Sequence, residues 1–316
     1  MHTSVRTLLN QIIDYAGLFP PAKLPLDDAV RQYFHAKKSS PHRWMLGRFV
    51  CPVAQLPELL DRAKGLADAS LLHVTALGKQ VAEAKEFVPQ IEKDVKAIKV
   101  FCKAWGKKDV IDLFEVALPN VTPITSALFM IPLAATELGR ATLPVFFEIP
   151  RTESWREDLD AACALVGDLR DMNAQAAIGM KLRAGGLTAD AFPSDEQVAG
   201  FITRCRSANV PWKATAGLHH PRRHWDESLQ VWHHGFLNVF IAGVLANVHS
   251  LQEAEVIEIL ADRTAAHFKF DADRVAWKNW SCTTAQLTQF RAGIGTSFGS
   301  CSFDEPAADL VAMGLL

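Results

Sequence analysis

Short apolar runs alternate with longer amphipathic stretches along most of the chain. The runs Ile12–Leu18, Met45–Cys51, Leu71–Ala76, Val110–Leu118, Val145–Ile149, Ala177–Arg183, Pro211–Ala216 and Phe236–Ala242 have strand length. Between them, helical spacing predicts helices over Leu26–Lys37, Leu56–Asp68, Lys79–Val88, Glu92–Trp105, Thr125–Gly139, Ser154–Met172, Ser194–Ala208, Arg223–His233 and Ser250–Arg263. Ser194 and Gln197 have the spacing of a capping box. Eight strands alternating with helices predict an α/β fold, an eight-stranded parallel (β/α)8 barrel of the TIM type. An open doubly wound sheet is the second architecture compatible with this alternation.

From about Leu251 the pattern changes. Residues 267–277 predict a hairpin, Thr283–Arg291 a helix, Gly293–Phe303 a loop, and a last helix starts at Pro306. This divides the chain into a barrel over 1–250 and a C-terminal extension, 251–316, packed on it rather than folded independently.

Strand parity brings polar residues into the barrel interior. In Ala177–Arg183 the large apolar Ile178, Met180 and Leu182 take one face, and Gly179, Lys181 and Arg183 the other. The same parity turns Glu148 inward in Val145–Ile149 and Asn238 inward in Phe236–Ala242. Lys181 and Lys213 occupy matched settings, each after an apolar run and before small residues and glycine. Glu148, Lys181, Lys213 and Asn238 are therefore expected at the face where barrels keep their chemistry. Two ammonium groups sharing a pocket would each favour the neutral, nucleophilic form of the other. Arg183 with Gly185 and Gly186 has the makings of an anion site, from a guanidinium and nearby backbone N–H groups.

Composition narrows the classes. The chain has 316 residues, 49% hydrophobic and 22% charged, enough for a sizeable core. A formal net charge of −2 without a basic block argues against nucleic acid and anionic membranes as partners. No apolar run reaches membrane-spanning length. The start, Met1 to Arg6, lacks the apolar core of a signal peptide, and six scattered cysteines form no CxxC pair. Both point to reduced thiols and a cytoplasmic location. Adjacent His219 and His220, with His224, His233 and His234 later, form neither HExxH nor another strong ligand spacing, so no metal and no cofactor is expected. Cys301, in Phe298–Phe303, lacks a visible base. Self-association is left open.

The lysine motifs resemble class I aldolases of the deoxyribose-phosphate aldolase type. Lys181-Leu182-Arg183-Ala184-Gly185-Gly186 is similar to that family's first lysine loop, and Lys213-Ala214-Thr215-Ala216-Gly217 to its second. Ile111-Asp112-Leu113, Phe147-Glu148-Ile149 and Ile13-Asp14-Tyr15 through Pro20-Pro21 are similar to its other strand motifs, and the likeness spans about residues 12–243. The resemblance implies a Schiff base on Lys181, a pKa-lowering role for Lys213 and proton handling by Asp112. The chain departs from the family at Leu182-Arg183, at Leu218-His219-His220-Pro221 and in a glycine-poor final strand, which leaves a phosphorylated substrate open.

The expected function is a lyase acting on a small anionic carbonyl compound. Lys181, Lys213, Asp112 and Glu148 are the candidate catalytic residues, and Arg183, Gly185, Gly186, Gly217, His219, His220 and Asn238 the candidate binding residues. Glu115, on the opposite face of its strand from Asp112, is the rival carboxylate. Two alternatives stand beside this: a metal-dependent hydrolase or lyase using Glu148 with His219 or His220, and a non-catalytic barrel that binds a small anion.

Overall fold

The computed structural model describes residues 1–66, 68–107, 109–119, 143–172 and 177–316. Eight parallel strands close into a barrel: β1 (Ile13–Tyr15), β2 (Leu46–Pro52), β3 (Val74–Leu77), β4 (Ile111–Ala117), β5 (Val145–Glu148), β6 (Ile178–Arg183), β7 (Trp212–Thr215) and β13 (Gly295–Ser300). Their order around the ring is β1-β13-β7-β6-β5-β4-β3-β2. The described α-helices are α1 (Thr3–Leu9), α2 (Leu26–Ser39), α3 (Leu56–Ala63), α4 (Ala84–Trp105), α5 (Trp155–Met172), α6 (Asp195–Ser207), α7 (Phe236–His249), α8 (Glu253–Ala261), α9 (Thr284–Gly293) and α10 (Asp304–Ala312). The barrel and seven of its eight expected strands agree with the hydrophobic pattern. The capping box opening α6 is formed, with Ser194 Oγ accepting from the Gln197 N–H. The expected helix Thr125–Gly139 lies outside the described residues.

The eighth strand is not where alternation placed it. Phe236–Ala242 is the first half of α7, in which every residue from Phe236 to Ala246 is buried. A helix apolar on all sides carries no amphipathic stripe, so its first seven residues mimic a buried strand. Gly243 fits here because a Cβ would stand 2.7 Å from the Trp212 ring and 2.9 Å from Phe290. Asn238 is therefore a helical residue outside the strand set. It accepts from the Arg223 N–H and donates to the carbonyls of Ile259 and Asp262, which ties α7 to its neighbours.

The closing strand is β13, in the stretch expected to be a loop. Gly-Thr-Ser-Phe-Gly-Ser has one large apolar residue, hence the loop-like reading. Its small residues answer to crowding: a Cβ on Gly295 would stand 2.3 Å from the Phe290 ring. β13 lies between β1 and β7, so the barrel extends beyond residue 250 and takes its last strand from the expected extension.

Two further elements differ. Arg223–His233 is not a helix but an antiparallel hairpin, β8 (His224–Asp226) and β9 (Val231–His233). Asp226 Oδ1 accepts from the backbone N–H groups of Ser228 and Leu229 and turns the chain, and Gln230 takes a left-handed φ of 54°. Lys79–Val88 and Glu92–Trp105 merge in α4, which starts at Ala84 and carries Pro89 in its second turn. The expected hairpin near 267–277 is part of a three-stranded antiparallel sheet, β10 (Phe268–Phe270), β11 (Arg274–Trp277) and β12 (Trp280–Thr283).

By contact density the chain forms two compact units. One comprises Met1–Lys23, Pro41–Gly47 and Leu182–Leu316, and the other Leu24–Ser40 and Arg48–Lys181. In the first, Trp212 is the centre of an aromatic cluster with Phe201, Phe240 and Phe290. In the second, Tyr33 of α2 meets Phe49 of β2 edge to face at 5.5 Å.

Phe298 is fully buried in β13 and stacks on Phe236 at 5.0 Å. Phe298→Ala is expected to cost about 3–5 kcal/mol in guanidinium unfolding, the loss typical of a large core aromatic. A change below about 0.5 kcal/mol, typical of an exposed loop, would contradict its place in the barrel.

Candidate active site

Lys181 is the most constrained charged group of the second unit. Its Nζ stands 2.8 Å from Glu115 Oε2 and 2.8 Å from Glu148 Oε2, with the side chain only 3% exposed. Register explains the convergence. Glu148 is paired laterally with Lys181, and Ala117 with Glu148, so Glu115 lies two residues before the β4 partner of Glu148 on the same face. A lysine of β6 that reaches β4 past β5 must do so across the concave face, which places all three side chains inside the barrel wall.

This geometry reverses the expected electrostatics of Lys181. Burial alone lowers its pKa. The attraction of Glu115 and Glu148, with a hydrogen bond to each, outweighs burial, and the net shift is upward. The resting side chain is an ammonium.

Asp112, expected to handle protons, is elsewhere. It lies at the start of β4, 2.5 Å from Arg48 Nε and 3.4 Å from His73 Nδ1, with a side chain 30% exposed. The β3–β4 pairing shifts register here: Val74 pairs with Ile111 but Thr75 with Leu113. The skipped residue is Asp112, and the inward parity passes to Leu113 and Glu115. The interior carboxylate of β4 is Glu115, the rival, and it accepts from Lys181.

The first unit holds the second lysine. Lys213, fully buried in β7, bonds Asp14 Oδ2 of β1 at 2.7 Å. Ser297 of β13, the strand between them, donates to the same oxygen at 2.7 Å. Each lysine is thus matched by a carboxylate of its own unit. Asp14 and Ser297 were absent from the expected site. Asp14 had a signal in its Ile-Asp-Tyr run, whereas Ser297 had none because its segment reads as a loop.

The remaining expected residues have these places. Arg183 ends β6 and is exposed. Gly217 has φ +70°, and a Cβ there would stand 2.6 Å from the Ala184 carbonyl oxygen; one on Gly185 would stand 2.8 Å from the Gly217 Cα. The loops after β6 and β7 therefore touch backbone to backbone, and these two glycines serve that contact. Gly186 faces Ala191, where a Cβ would meet the alanine methyl at 2.6 Å.

His219 and His220 follow Gly217 and meet the carboxylates of α10. His220 Nδ1 is 2.6 Å from Asp309 Oδ2, and His219 Nδ1 is 3.4 Å from Glu305 Oε2 and 3.8 Å from Cys301 Sγ. Cys301 therefore has a base beside it that the sequence does not reveal. Burial nonetheless pushes its thiol up, Glu305 adds to this, and backbone hydrogen bonds only partly offset it. Tyr15, at the end of β1, is pushed up to about 12 by burial and by the nearby Cys301 and Asp304. His220, His224 and His233 form a chain of edge-to-face rings, at 4.4 and 4.9 Å. Burial, then the neighbouring His224, brings His233 down to about 4; burial also lowers His219, His224 and His234. Among the described residues, no group of three or more His, Cys, Asp or Glu side chains has the arrangement of a metal site. No described helix is long and apolar enough to cross a membrane.

Two measurements probe these clusters. Asp14→Ala leaves the Lys213 ammonium buried without its carboxylate and should cost about 3–5 kcal/mol, while Asp14→Leu combined with Lys213→Met should recover most of that. Equal losses in the single and double variants would show that the pair is not coupled. His224 and His233 titrate lower in the folded chain than the ordinary value near 6.5. Their contribution is present above about 6.5 and is lost as pH falls towards about 4, because the unfolded chain binds protons first. The Tm should fall over this window, and less steeply in His233→Phe; parallel curves would remove His233 from the cause.

No protein-family model matches the chain, and no curated protein matches it at a significant level, so its affiliation is argued from the barrel and these buried clusters alone.

Proposed function

We propose that the protein is a lysine-dependent carbon–carbon lyase that acts on a small anionic carbonyl compound through a Schiff base on Lys181. One observation carries the reading: Lys181 Nζ stands 2.8 Å from two carboxylates in the barrel wall. Attack on a carbonyl requires the amine, and each carboxylate is in place to receive the ammonium proton. The amine nitrogen then bonds the carbonyl carbon. The same carboxyl group returns its proton to the departing hydroxyl, which leaves as water, and the protonated imine draws the electrons of the breaking carbon–carbon bond. Glu148, at the end of β5 and the more exposed of the two, suits proton exchange with substrate; Glu115, 3% exposed, suits orientation of the lysine. Arg183, exposed at the end of the lysine's own strand, is the candidate cation for the substrate's anionic group.

A second reading has its own support. A raised pKa keeps Lys181 an ammonium neutralised by its own carboxylates, so a non-catalytic anion-binding barrel would place the anion on Arg183 at the end of the strand rather than on the cluster. Borohydride reduction in the presence of small aldehydes and keto acids separates the two. The lyase reading expects a stable adduct on the peptide containing Lys181 and its complete loss in Lys181→Ala. Glu148→Gln should slow adduct formation by about 10²-fold or more, the usual scale of a lost acid–base group. A compound that binds but never modifies Lys181 would leave the anion-binding barrel as the function.

A further inference from the structure

Thr75 lies in β3 and is fully buried, and its Oγ1 has no hydrogen-bond partner among the described residues. An unpaired buried hydroxyl is costly, and valine has nearly the same shape without that cost. The position of Thr75 indicates what completes it. Leu77 pairs with Glu115, and Thr75 pairs with Leu113 without a further register shift, so Thr75 and Glu115 share the interior face. On β2, Val50 is the lateral partner of Thr75, and it is apolar like Leu113. Two polar side chains of the flanking strands stand one diagonal step away on that face: Arg48 of β2, which bonds Asp112, and Glu115 of β4, on the side towards Lys181. With strands about 4.8 Å apart and a rise of about 3.3 Å per residue, such diagonal Cα atoms are about 8 Å apart. That spacing suits one water between a hydroxyl and a carboxylate better than a direct bond.

We propose that Thr75 and Glu115 hold one buried water in the barrel wall, and that through it Thr75 acts as a positioning residue for the Glu115–Lys181 pair. The water donates to Glu115 and accepts from the Thr75 hydroxyl. It sits on the side of Glu115 away from Lys181, where it supports the ionised carboxylate. The positioning role rests on the lysine-centred reading above; the water site does not.

Thr75→Val and Thr75→Ser in the full chain test both parts. A crystal structure of the wild-type chain should show a water within hydrogen-bond distance of Thr75 Oγ1 and a Glu115 oxygen, and Thr75→Val should lack it. Thr75→Val should also lower the Tm, by roughly 2 °C or more, because losing the water removes a hydrogen bond to the buried Glu115 carboxylate. Loss of a donor to the carboxylate weakens its hold on the ammonium, so the pH profile of borohydride trapping should move to lower pH by roughly half a unit or more. Thr75→Ser keeps the hydroxyl and should keep the wild-type profile. Absence of the water together with a higher Tm in Thr75→Val would overturn the site. A water present with an unmoved trapping profile would overturn the positioning role. If the wild-type chain shows no trapping at all, the lysine reading fails, and the water site is still decided by the density and the Tm.

Discussion

The Lys181 ammonium, shared between Glu115 and Glu148, is the constraint around which the second unit is organised. Burying charge is tolerated only where opposite charge and hydrogen bonds are supplied with good geometry. Here three strands supply them, and each must hold its register. A one-residue slip of β4 would turn Glu115 out and put an apolar group against the lysine. The irregular β3–β4 pairing at Asp112 is part of the same arrangement, because it sets the parity that brings Glu115 inward.

The two lysines look alike in sequence and are built differently. Lys213 bonds Asp14, whose Oδ2 also accepts from Ser297, and both members of the pair are fully buried. This unites β1, β13 and β7, the strands that close the ring. Lys181 has two carboxylates and retains slight exposure through Glu148. A fully buried pair that bridges neighbouring strands is best suited to holding them together. A lysine between two acceptors can release a proton to one and keep the other as counter-charge, which suits chemistry.

Much of this was legible in the sequence, for a physical reason. Parallel barrel strands buried on both faces give short apolar runs, and helices between them give the longer period, so the fold class and seven strands follow from pattern alone. Lys181 and Glu148 were found because a charge interrupting such a run demands a partner. The failures share a cause as well. Phe236–Ala246 is buried all round, so it shows no period that separates helix from strand. Gly295–Ser300 packs by having little side chain, so Phe298 is its only large apolar residue and no run stands out. Asp112 and Glu115 differ by a register irregularity that depends on the neighbouring strand, and one strand's sequence does not contain it.

The raised pKa of Lys181 bears on chemistry differently from the mutual depression that the paired motifs suggest. A lysine activated by a second ammonium is already an amine before substrate arrives. A lysine held by two carboxylates is not, and its proton must move as the carbonyl approaches. A bound anion helps this only where it stands nearer a carboxylate than the lysine, because negative charge favours protonation of a carboxylate and of an amine alike. Substrate charge and lysine activation would then be linked: the group that recognises the ligand's anion and the group that attacks its carbonyl answer to the same local field. On the lyase reading such a cluster would rest as a salt bridge and become nucleophilic only when occupied, which would reconcile a well-paired, buried lysine with the proposed chemistry.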